Sequence, residues 1–444
     1  MNYEDTVVEL LRMKLTEAGL LPLQSQSQTA LEILEERLEI YLPKFMEETG
    51  IDMWIVAGHE TNEDPIMWTM VVPDILYSRR QSALIFYRDP SDGHVERMSW
   101  MLTYNMSKYY TIIGTPKDSF SQIVEEQARR FHPQKIAINI NSELGGFCGG
   151  LSAWMYKDLM ENLSEEYRNR LVPAGPLSTK WLEVMTPKEM AVMKVLSSVT
   201  EDLMRAFYSR KLIVPGKTTP NDVRWFIKNV ISRCEMNFWF PPHIDYQRVG
   251  ASGDSYGPST KKNRKEQKSY MDTPIEEGDL LHCDIGVNLR FIRVLTDRQW
   301  MCYVKKSNEE HAPEGMKKLF TMCNQFQDMV CEGFHAGKTG NEVFKEGIEK
   351  AKNAGLKPLL YTHGLGTFGH GAGPIIGLID MQEDIYPRGE LKVGYESTHA
   401  LELQHIAPLP EWNNQEIHMY LEEDVHITDK PHYIGKRQTQ LMEI

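Results

Sequence analysis

The sequence has little of what marks a nucleic-acid-binding or a disulfide-stabilised protein. Basic residues are outnumbered, with 49 Lys and Arg against 62 Asp and Glu and a formal net charge of −13. Because phosphate binding needs a basic surface, no nucleic-acid partner is expected. The six cysteines include no CxxC pair and no regular framework, which indicates reduced thiols rather than disulfides.

Long apolar stretches are also absent. No run approaches the roughly 20 apolar residues of a membrane-spanning helix. The sequence starts with an acidic segment that has neither the basic region nor the apolar region of a signal peptide. We therefore expect a cytoplasmic protein with no membrane partner.

Common catalytic motifs are missing as well. Neither HExxH nor GxSxG occurs in the sequence. Residues 364–369 match the GxGxxG pattern of dinucleotide-binding loops, but Gly371, Gly373 and Pro374 follow them. Since no helix can begin there and present its N-terminus to a pyrophosphate, a dinucleotide site is not indicated.

The order of the predicted elements indicates two domains. A length of 444 residues suits about two or three domains. Strand-like and helix-like segments alternate in the N-terminal part and predict an α/β domain, with strands at 53–57, 82–87 and 135–140 and a helix at 121–128. Residues 173–176 contain two prolines and a glycine, and Thr186 and Pro187 predict the start of a helix. We accordingly place an N-terminal domain at 1–178 and a second domain at 179–444.

The last third of the chain contains an ordered set of acids and one histidine. Each member lies in a segment with strand character, and each is a hard or borderline metal ligand: Asp284, Asp297, His363, Glu402 and Glu422. Such a set can hold two divalent ions side by side, with acids bridging them. Ion pairs about 3.5–4 Å apart are a known device for hydrolysis. The set therefore predicts a metallohydrolase.

The alternation of apolar and polar residues predicts on which face of its strand Glu422 lies. Between 417 and 428 most odd positions are apolar and the even positions are polar, so Glu422 is predicted on the face opposite the core. A solvated face and a functional site both agree with this pattern. Glu402 stands between Leu401 and Leu403, which suits either a site or a buried salt bridge.

The two aspartates and two histidines also have simpler explanations. Asp284 and Asp297 are 13 positions apart (297 − 284), and pairing across a hairpin would bring both carboxylates to one face. Aspartates that only cap turns would show the same spacing. His363 and His370 lie in a glycine-rich segment, where imidazole can bind a metal or donate to a substrate oxygen. Structural histidines are the alternative.

Over residues 181–444, the order Asp, Asp, His, Glu, Glu resembles the pita-bread metallopeptidases. This family includes methionine aminopeptidase, Xaa-Pro aminopeptidase, prolidase and the metal-free creatinase. The N-terminal half is similar to the creatinase-type domain that precedes the catalytic domain in Xaa-Pro aminopeptidases. The resemblance implies an α/β N-terminal domain followed by an α+β pita-bread catalytic domain, and it favours the Xaa-Pro aminopeptidase and prolidase branch.

The resemblance also implies roles for the residues. Asp284, Asp297, His363, Glu402 and Glu422 are expected to bind two divalent ions, with Mn²⁺, Co²⁺, Zn²⁺ or Fe²⁺ as possible metals. Glu402 is expected to handle the proton of the attacking water, and His370 to contact the substrate. The expected protein is a homodimeric, dinuclear aminopeptidase that cleaves peptides before proline.

The chain departs from the family at three places, one of which is the spacing of 39 positions from His363 to Glu402 (402 − 363), longer than in compact members. The hairpin between the two aspartates is longer than usual and contains Arg290 and Arg293, which are available to the acids or to a substrate carboxylate. A family histidine has no match in the glycine-rich stretch 250–256, and His243 is a candidate substitute in substrate binding, with a structural role as the alternative. A creatinase-like hydrolase of small amides and a catalytically inactive binding protein are therefore the competing hypotheses.

Overall fold

The structure is a computed structural model that describes residues 2–141, 143–250 and 271–444. The chain forms two compact units, one of Ser27–Lys188 and one of Met1–Gln26 together with Glu189–Ile444. The first helix, α1 (Tyr3–Glu17), belongs to the larger unit because it packs on α9 (Pro220–Arg233). The units thus divide the chain differently from the domain limits placed at 178 and 179, which remain a prediction.

The unit Ser27–Lys188 is built on a mixed six-stranded sheet in the order β4-β3-β2-β1-β5-β6. Its strands are β1 (Met53–His59), β2 (Gln81–Arg88), β3 (Val95–Trp100), β4 (Thr111–Ile112), β5 (Ile136–Ile138) and β6 (Leu171–Pro173). Its helices are α2 (Leu23–Glu36, begun in the other unit), α3 (Leu42–Thr49), α4 (Phe120–Phe131), α5 (Ala153–Asn162), α6 (Glu165–Arg168) and α7 (Gly175–Glu183). Strands at all three predicted places and the helix at 121–128 are confirmed.

A capping box explains where α4 begins. The Ser119 side chain accepts a hydrogen bond from the backbone N–H of Gln122, and the Gln122 side chain accepts one from the N–H of Ser119. These bonds satisfy two N–H groups that helix geometry leaves without partners. The apolar face of α4, including Ile123 and Val124, then packs in one core with β1 and β2.

The larger unit contains a ten-stranded sheet whose main path runs β14-β13-β15-β16-β11-β9-β8. The described strands of the larger unit are β7 (Met236–Phe238), β8 (His243–Gln247), β9 (Leu280–Ile285), β10 (Val287–Leu289), β11 (Arg298–Tyr303), β12 (Pro358–Leu360), β13 (Thr362–Gly364), β14 (Ile375–Ile376), β15 (Ser397–Leu409), β16 (Gln415–Ile427), β17 (Pro431–Tyr433) and β18 (Met442–Glu443). β7 and β10 form a separate ribbon. Among the described residues, the helices after α7 are α8 (Pro187–Phe207), α9, α10 (Glu314–Gly333) and α11 (Gly340–Asn353).

The long hairpin of β15 and β16 has two different faces. Leu401, Leu403 and Leu421 pack with α10 in one apolar core. Residues alternate between faces along a strand, so Glu402 and Glu422 point away from that core. Glu422 is nevertheless only 1% exposed. Its predicted direction is confirmed, and the alternative of a solvated face is excluded.

Among the residues that the structure describes, no helix is sufficiently long and apolar to cross a bilayer.

Candidate metal centre

Four polar residues form a row across four neighbouring strands. Asp284 on β9 pairs with Gln299 on β11, Gln299 pairs with Glu422 on β16, and Glu422 pairs with Glu402 on β15. Residues that lie directly opposite each other in antiparallel strands share a face of the sheet. All four are buried. The fold therefore gathers three of the predicted ligands side by side, with a glutamine among them.

A second row lies beside the first one. His363 on β13 pairs with Ala400, and Ala400 pairs with Asp424 on β16. The backbone N–H of Asp297, just before β11, donates to Oδ1 of Asp424 at 2.9 Å. Since Ala400 has a small side chain, the imidazole of His363 can reach over it toward the acids. Asp297 and His363 thus join the site from its two sides.

Three of the predicted ligands converge on a nitrogen atom of a fourth, Nε2 of His363. Nε2 of His363 lies 3.6 Å from Oδ2 of Asp297, 3.7 Å from Oε1 of Glu422 and 3.9 Å from Oε2 of Glu402. One ligand atom each from Asp297, His363 and Glu422 lies within 4.8 Å of the others. Asp284 is outside this trio, but it lies in the same row as Glu422 through Gln299, and after burial and the charge of Glu422 its charge also raises the pKa of Asp297 and of Glu402. The aspartates of the longer hairpin therefore still face a common site.

The hydrogen bonds of His363 leave one of its nitrogen atoms available as a ligand. Nδ1 lies 3.1 Å from the carbonyl oxygens of both Gly364 and Gly369. Carbonyl oxygens only accept, so Nδ1 carries the proton and Nε2 presents a lone pair to the acids. Burial lowers the pKa of His363, which keeps the ring neutral. Histidine ligands of metals characteristically donate their other N–H to a backbone carbonyl in this way.

The acids carry more negative charge than their surroundings balance. Burial is the main cause that raises the pKa of Glu422 to about 8, and burial followed by the charge of Glu422 raises the pKa of Asp297 and of Glu402. Within the described parts of the chain, Oδ1 of Asp297 and Oε1 of Glu422 are buried without a hydrogen-bond donor. Such groups are costly unless a cation compensates them. Carboxylate oxygens and one imidazole nitrogen fit divalent ions of the first transition row.

His370 lies at the rim of this site. Its ring is perpendicular to the ring of His363, with centroids 4.6 Å apart, and the ring of Trp239 stands 5.3 Å from it on another side. Although His370 is exposed, desolvation by its neighbours, with a smaller effect of His363 and Arg388, lowers its pKa to about 4. His370 is thus neutral near pH 7. A neutral imidazole can still donate one hydrogen bond to a substrate oxygen.

His243 extends the first row at its other end. It pairs with Asp284 across β8 and β9, and its Nε2 lies 3.1 Å from Oδ2 of Asp245. The structure thus brings His243 to the predicted site, while its part in substrate binding stays a prediction. Of the glycine-rich stretch 250–256, residues 251–256 lie outside the described residues.

Arg290, one of the two arginines in the long hairpin, is engaged away from the acids. Nη1 of Arg290 lies 3.3 Å from Oε2 of Glu235, and its backbone N–H donates to Oε1 of Gln26 at 3.1 Å. The hairpin itself is anchored by β10, which pairs with β7. The added residues therefore do not place the Arg290 guanidinium on the metal ligands.

Three residues of the site were not predicted from the sequence. Gln299 and Asp424 each stand two positions after a predicted ligand, Asp297 and Glu422, and so share its face. Period-two spacing was a signal that could have found both. Trp239 had no such signal, because its place beside His370 depends on contacts between distant segments.

The sequence model of metallopeptidase family M24 matches residues 191–429, which is more than half of the chain. The chain belongs to this family. The matched region contains all five predicted ligands and His370. No curated protein sequence matched the chain in the corresponding search.

Solved structures with this fold cover nearly the whole chain. An X-Pro aminopeptidase from Thermotoga maritima is 10% identical, with a TM-score of 0.64, and covers 90% of this chain and 100% of its own. An Xaa-Pro dipeptidase from Bacillus anthracis is 14% identical, with a TM-score of 0.62 and coverages of 94% and 100%. The N-terminal domain of the FACT complex subunit SPT16 from chickpea is 12% identical, with a TM-score of 0.56 and coverages of 91% and 96%. The predicted creatinase-like architecture with a pita-bread catalytic domain is confirmed.

Proposed function

We propose that this M24 member is a metal-dependent exopeptidase that removes the N-terminal residue of a peptide, with a preference for bonds before proline. The convergence of Asp297, Glu402 and Glu422 on the bare Nε2 of His363 carries this proposal. Two divalent ions, with Mn²⁺ first and Co²⁺, Zn²⁺ or Fe²⁺ as alternatives, a cytoplasmic location and a homodimer complete it.

The five predicted ligands would hold the ions. Asp297, His363 and Glu422, whose ligand atoms lie within 4.8 Å of one another, would hold one ion, and Glu402 and Asp284 would supply further carboxylate ligands. Bound divalent ions polarise the scissile carbonyl and lower the pKa of a water molecule at the site.

The remaining chemistry belongs to the side chains of the protein. Glu402 takes the proton of the attacking water at Oε2 and returns it to the leaving nitrogen, a task for which a raised pKa suits a carboxylate. Neutral His370 donates a hydrogen bond to the oxygen on which negative charge develops. The ring of Trp239 forms an apolar wall beside His370 and excludes water from that side.

The preference for proline is supported by analogy of fold. The similar structures include proteins named as X-Pro aminopeptidase, Xaa-Pro dipeptidase and prolidase. A fold hosts many functions, so this support is weaker than the support for hydrolysis. An apolar surface such as the Trp239 ring is compatible with a proline ring in the substrate.

The competing hypotheses conflict with the chemistry of the buried acids. The SPT16 domain shows that this fold also occurs in a protein that is not named as a peptidase. A binding protein or a metal-free amide hydrolase would need no cluster of acids that lacks a balancing cation. In the described residues, Oε1 of Glu422 and Oδ1 of Asp297 are buried without donors, which favours a metal enzyme.

Metal analysis followed by a peptide panel tests the proposal. Purified protein is stripped, reconstituted with Mn²⁺ or Co²⁺ and analysed for bound metal, and matched Xaa-Pro and Xaa-Ala peptides are then offered. We expect bound metal and release of the first residue, faster from the Xaa-Pro peptides. Absence of bound metal refutes the metalloenzyme, whereas bound metal without any cleavage favours the binding protein. Equal rates on both peptide series refute only the preference for proline.

A further inference from the structure

A neutral amide lies in the middle of the row of acids. Gln299 is fully buried between Asp284 and Glu422, and Glu402 stands next in the row. A carboxamide brings no charge to a metal site, but it has two N–H donors and one carbonyl acceptor. The role of Gln299 therefore depends on what these groups contact.

Gln299 divides the oxygen atoms of the two glutamates into two pairs. Its Nε2 donates to Oε1 of Glu402 and, at 2.9 Å, to Oε2 of Glu422. The other two oxygens, Oε2 of Glu402 and Oε1 of Glu422, lie 3.9 and 3.7 Å from Nε2 of His363. Each glutamate thus turns one oxygen to the amide and keeps the other for the side on which His363 lies.

His282 determines which way the amide of Gln299 points. Nε2 of His282 lies 2.9 Å from Oε1 of Gln299. Because Nε2 of Gln299 faces two carboxylates, its carbonyl oxygen is the acceptor, and His282 is the donor. A flipped amide would direct its carbonyl oxygen at both carboxylates, which is repulsive.

His282 is in turn held by its own neighbours. Its Nδ1 lies 3.3 Å from Oδ1 of Asp245, whose Oδ2 lies 3.1 Å from Nε2 of His243. The ring of Tyr420 packs 4.4 Å from the ring of His282. These contacts join β8, β9, β11 and β16 of one sheet, so the amide of Gln299 is supported by regular structure rather than by a loop.

We propose that Gln299 is a positioning residue that prepares the two glutamates for a cation, and that His282 holds Gln299 in the required orientation. The amide fixes Oε1 of Glu402 and Oε2 of Glu422. It thereby directs the other two oxygens, Oε2 of Glu402 and Oε1 of Glu422, toward Nε2 of His363. This inference rests on the proposed function, because it assumes that the glutamates bind a metal. Without the amide, both carboxylates can rotate, and cation binding has to order them.

Replacing Gln299 with methionine tests the role of the amide. Methionine is an unbranched side chain of similar length without N–H donors, so Gln299→Met removes the hydrogen bonds and largely keeps the volume. Stripped protein is titrated with Mn²⁺ and with Co²⁺ by calorimetry, and the visible spectrum of bound Co²⁺ reports the ligand geometry. We expect affinity about 10- to 100-fold lower than in the wild type, the usual effect of losing a residue that orients a ligand, and an altered Co²⁺ spectrum.

A second buried glutamine of the same sheet supplies the control. Gln247 on β8 exchanges hydrogen bonds with the backbone of His418 instead of with an acid. Gln247→Met is expected to lower thermal stability and to leave metal affinity and the Co²⁺ spectrum unchanged. Wild-type affinity and spectrum in Gln299→Met would overturn the proposal, and so would an equal loss of affinity in both variants.

Variants of His282 test whether His282 holds the Gln299 amide in its orientation. They also keep the proposal testable if Gln299→Met does not fold. His282→Leu removes the donor and is expected to weaken metal binding, whereas His282→Gln retains an N–H donor and is expected to restore most of it. In the double variant His282→Leu with Gln299→Met, the loss should be no larger than for Gln299→Met alone. Additive losses, or equal affinities of the Leu and Gln variants, contradict the link between the two residues.

The same titrations separate this inference from the proposed function. If the wild type binds neither Mn²⁺ nor Co²⁺, the proposed function fails, and the role of Gln299 fails with it. If the wild type binds metal and the Gln299 and His282 variants bind it equally well, only the positioning role is refuted.

Discussion

Glu402 and Glu422 face each other directly across the long hairpin, and both are buried. Side chains in this arrangement have Cβ atoms about 4.5–5.5 Å apart, and like charges there repel each other. The sheet therefore holds two carboxylates together under conditions that favour either protonation or a bound cation. This conflict makes the stability of the metal-free protein depend on pH.

We expect the metal-free wild type to lose stability relative to Glu422→Gln as the pH rises from about 5 to about 9. Burial raises the pKa of Glu422 to about 8 in the folded protein, against an ordinary value of 4.5. Stability from a group with a raised folded pKa is present below the unfolded value and is lost as the pH rises through the folded value. Thermal melts in chelator across this range should show the variant gaining several °C on the wild type, because each unit of raised pKa corresponds to about 1.4 kcal/mol of stability that is lost at high pH.

The control for these melts is Glu416→Gln, which changes an exposed glutamate of the same strand. It should follow the wild type at every pH. Parallel curves for the wild type and Glu422→Gln would show that the Glu422 carboxyl does not resist ionisation in the folded protein.

Metal binding near pH 7 should release protons. The pKa values of Asp297, Glu402 and Glu422 are all raised, first of all by burial, so the metal-free cluster retains protons that a metal must displace. Calorimetric titration with Mn²⁺ in two buffers of different ionisation enthalpy measures the number released, which we expect to be about one or two. The number should fall as the pH rises through the folded pKa of Glu422, which burial raises to about 8. Heats that are independent of the buffer at pH 7 would contradict this expectation.

The sequence predicts toward which face of a strand a site residue points, but not which residues of other strands it contacts. Alternation along β16 correctly placed Glu422 opposite the core, because each strand fixes the faces of its own residues. The pairing of Gln299 with Glu422 joins strands that are distant in sequence, and no local pattern specifies that register. Trp239 likewise reaches His370 only through the folded chain. Local periodicity thus predicts candidate ligands, whereas the residues that orient and enclose them depend on long-range packing.

Replacing the proton carrier should separate chemistry from metal binding. In Glu402→Gln the amide cannot accept the proton of the attacking water, and we expect kcat to fall by about 10²- to 10⁴-fold. His370→Ala removes a donor to the developing negative charge, and we expect a fall of about 10²- to 10³-fold. Steady-state kinetics on an Xaa-Pro peptide give both values, and metal analysis of each variant shows whether the ions remain.

The two variants differ in their effect on metal. His370 lies at the rim and is not among the predicted ligands, so His370→Ala should keep the wild-type metal content. Glu402→Gln retains one amide oxygen as a possible ligand and should lose at most part of its metal. Wild-type kcat in fully loaded Glu402→Gln would remove Glu402 from the role of proton carrier.

Two glycines with the same backbone conformation test how Trp239 encloses the site. Gly369 and Gly355 both have φ of +77°, but a Cβ on Gly369 would lie 2.6 Å from the Trp239 ring, whereas one on Gly355 would have no neighbour within 4 Å. Gly355→Ala should therefore show only the strain of a left-handed residue, about 1–2 kcal/mol. Gly369→Ala adds a steric clash of about 1–3 kcal/mol. Urea denaturation of both variants measures the difference.

Activity provides the second readout of this pair. The clash at Gly369 pushes on the ring that packs against His370, so Gly369→Ala should lower kcat/KM, whereas Gly355→Ala should leave it at the wild-type value. Substituting Trp239 with Ala in the Gly369→Ala protein removes the clash, and part of the lost stability should return. If both alanine variants lose the same stability and neither changes kcat/KM, then the contact of Trp239 with the His363–His370 segment does not shape the active site.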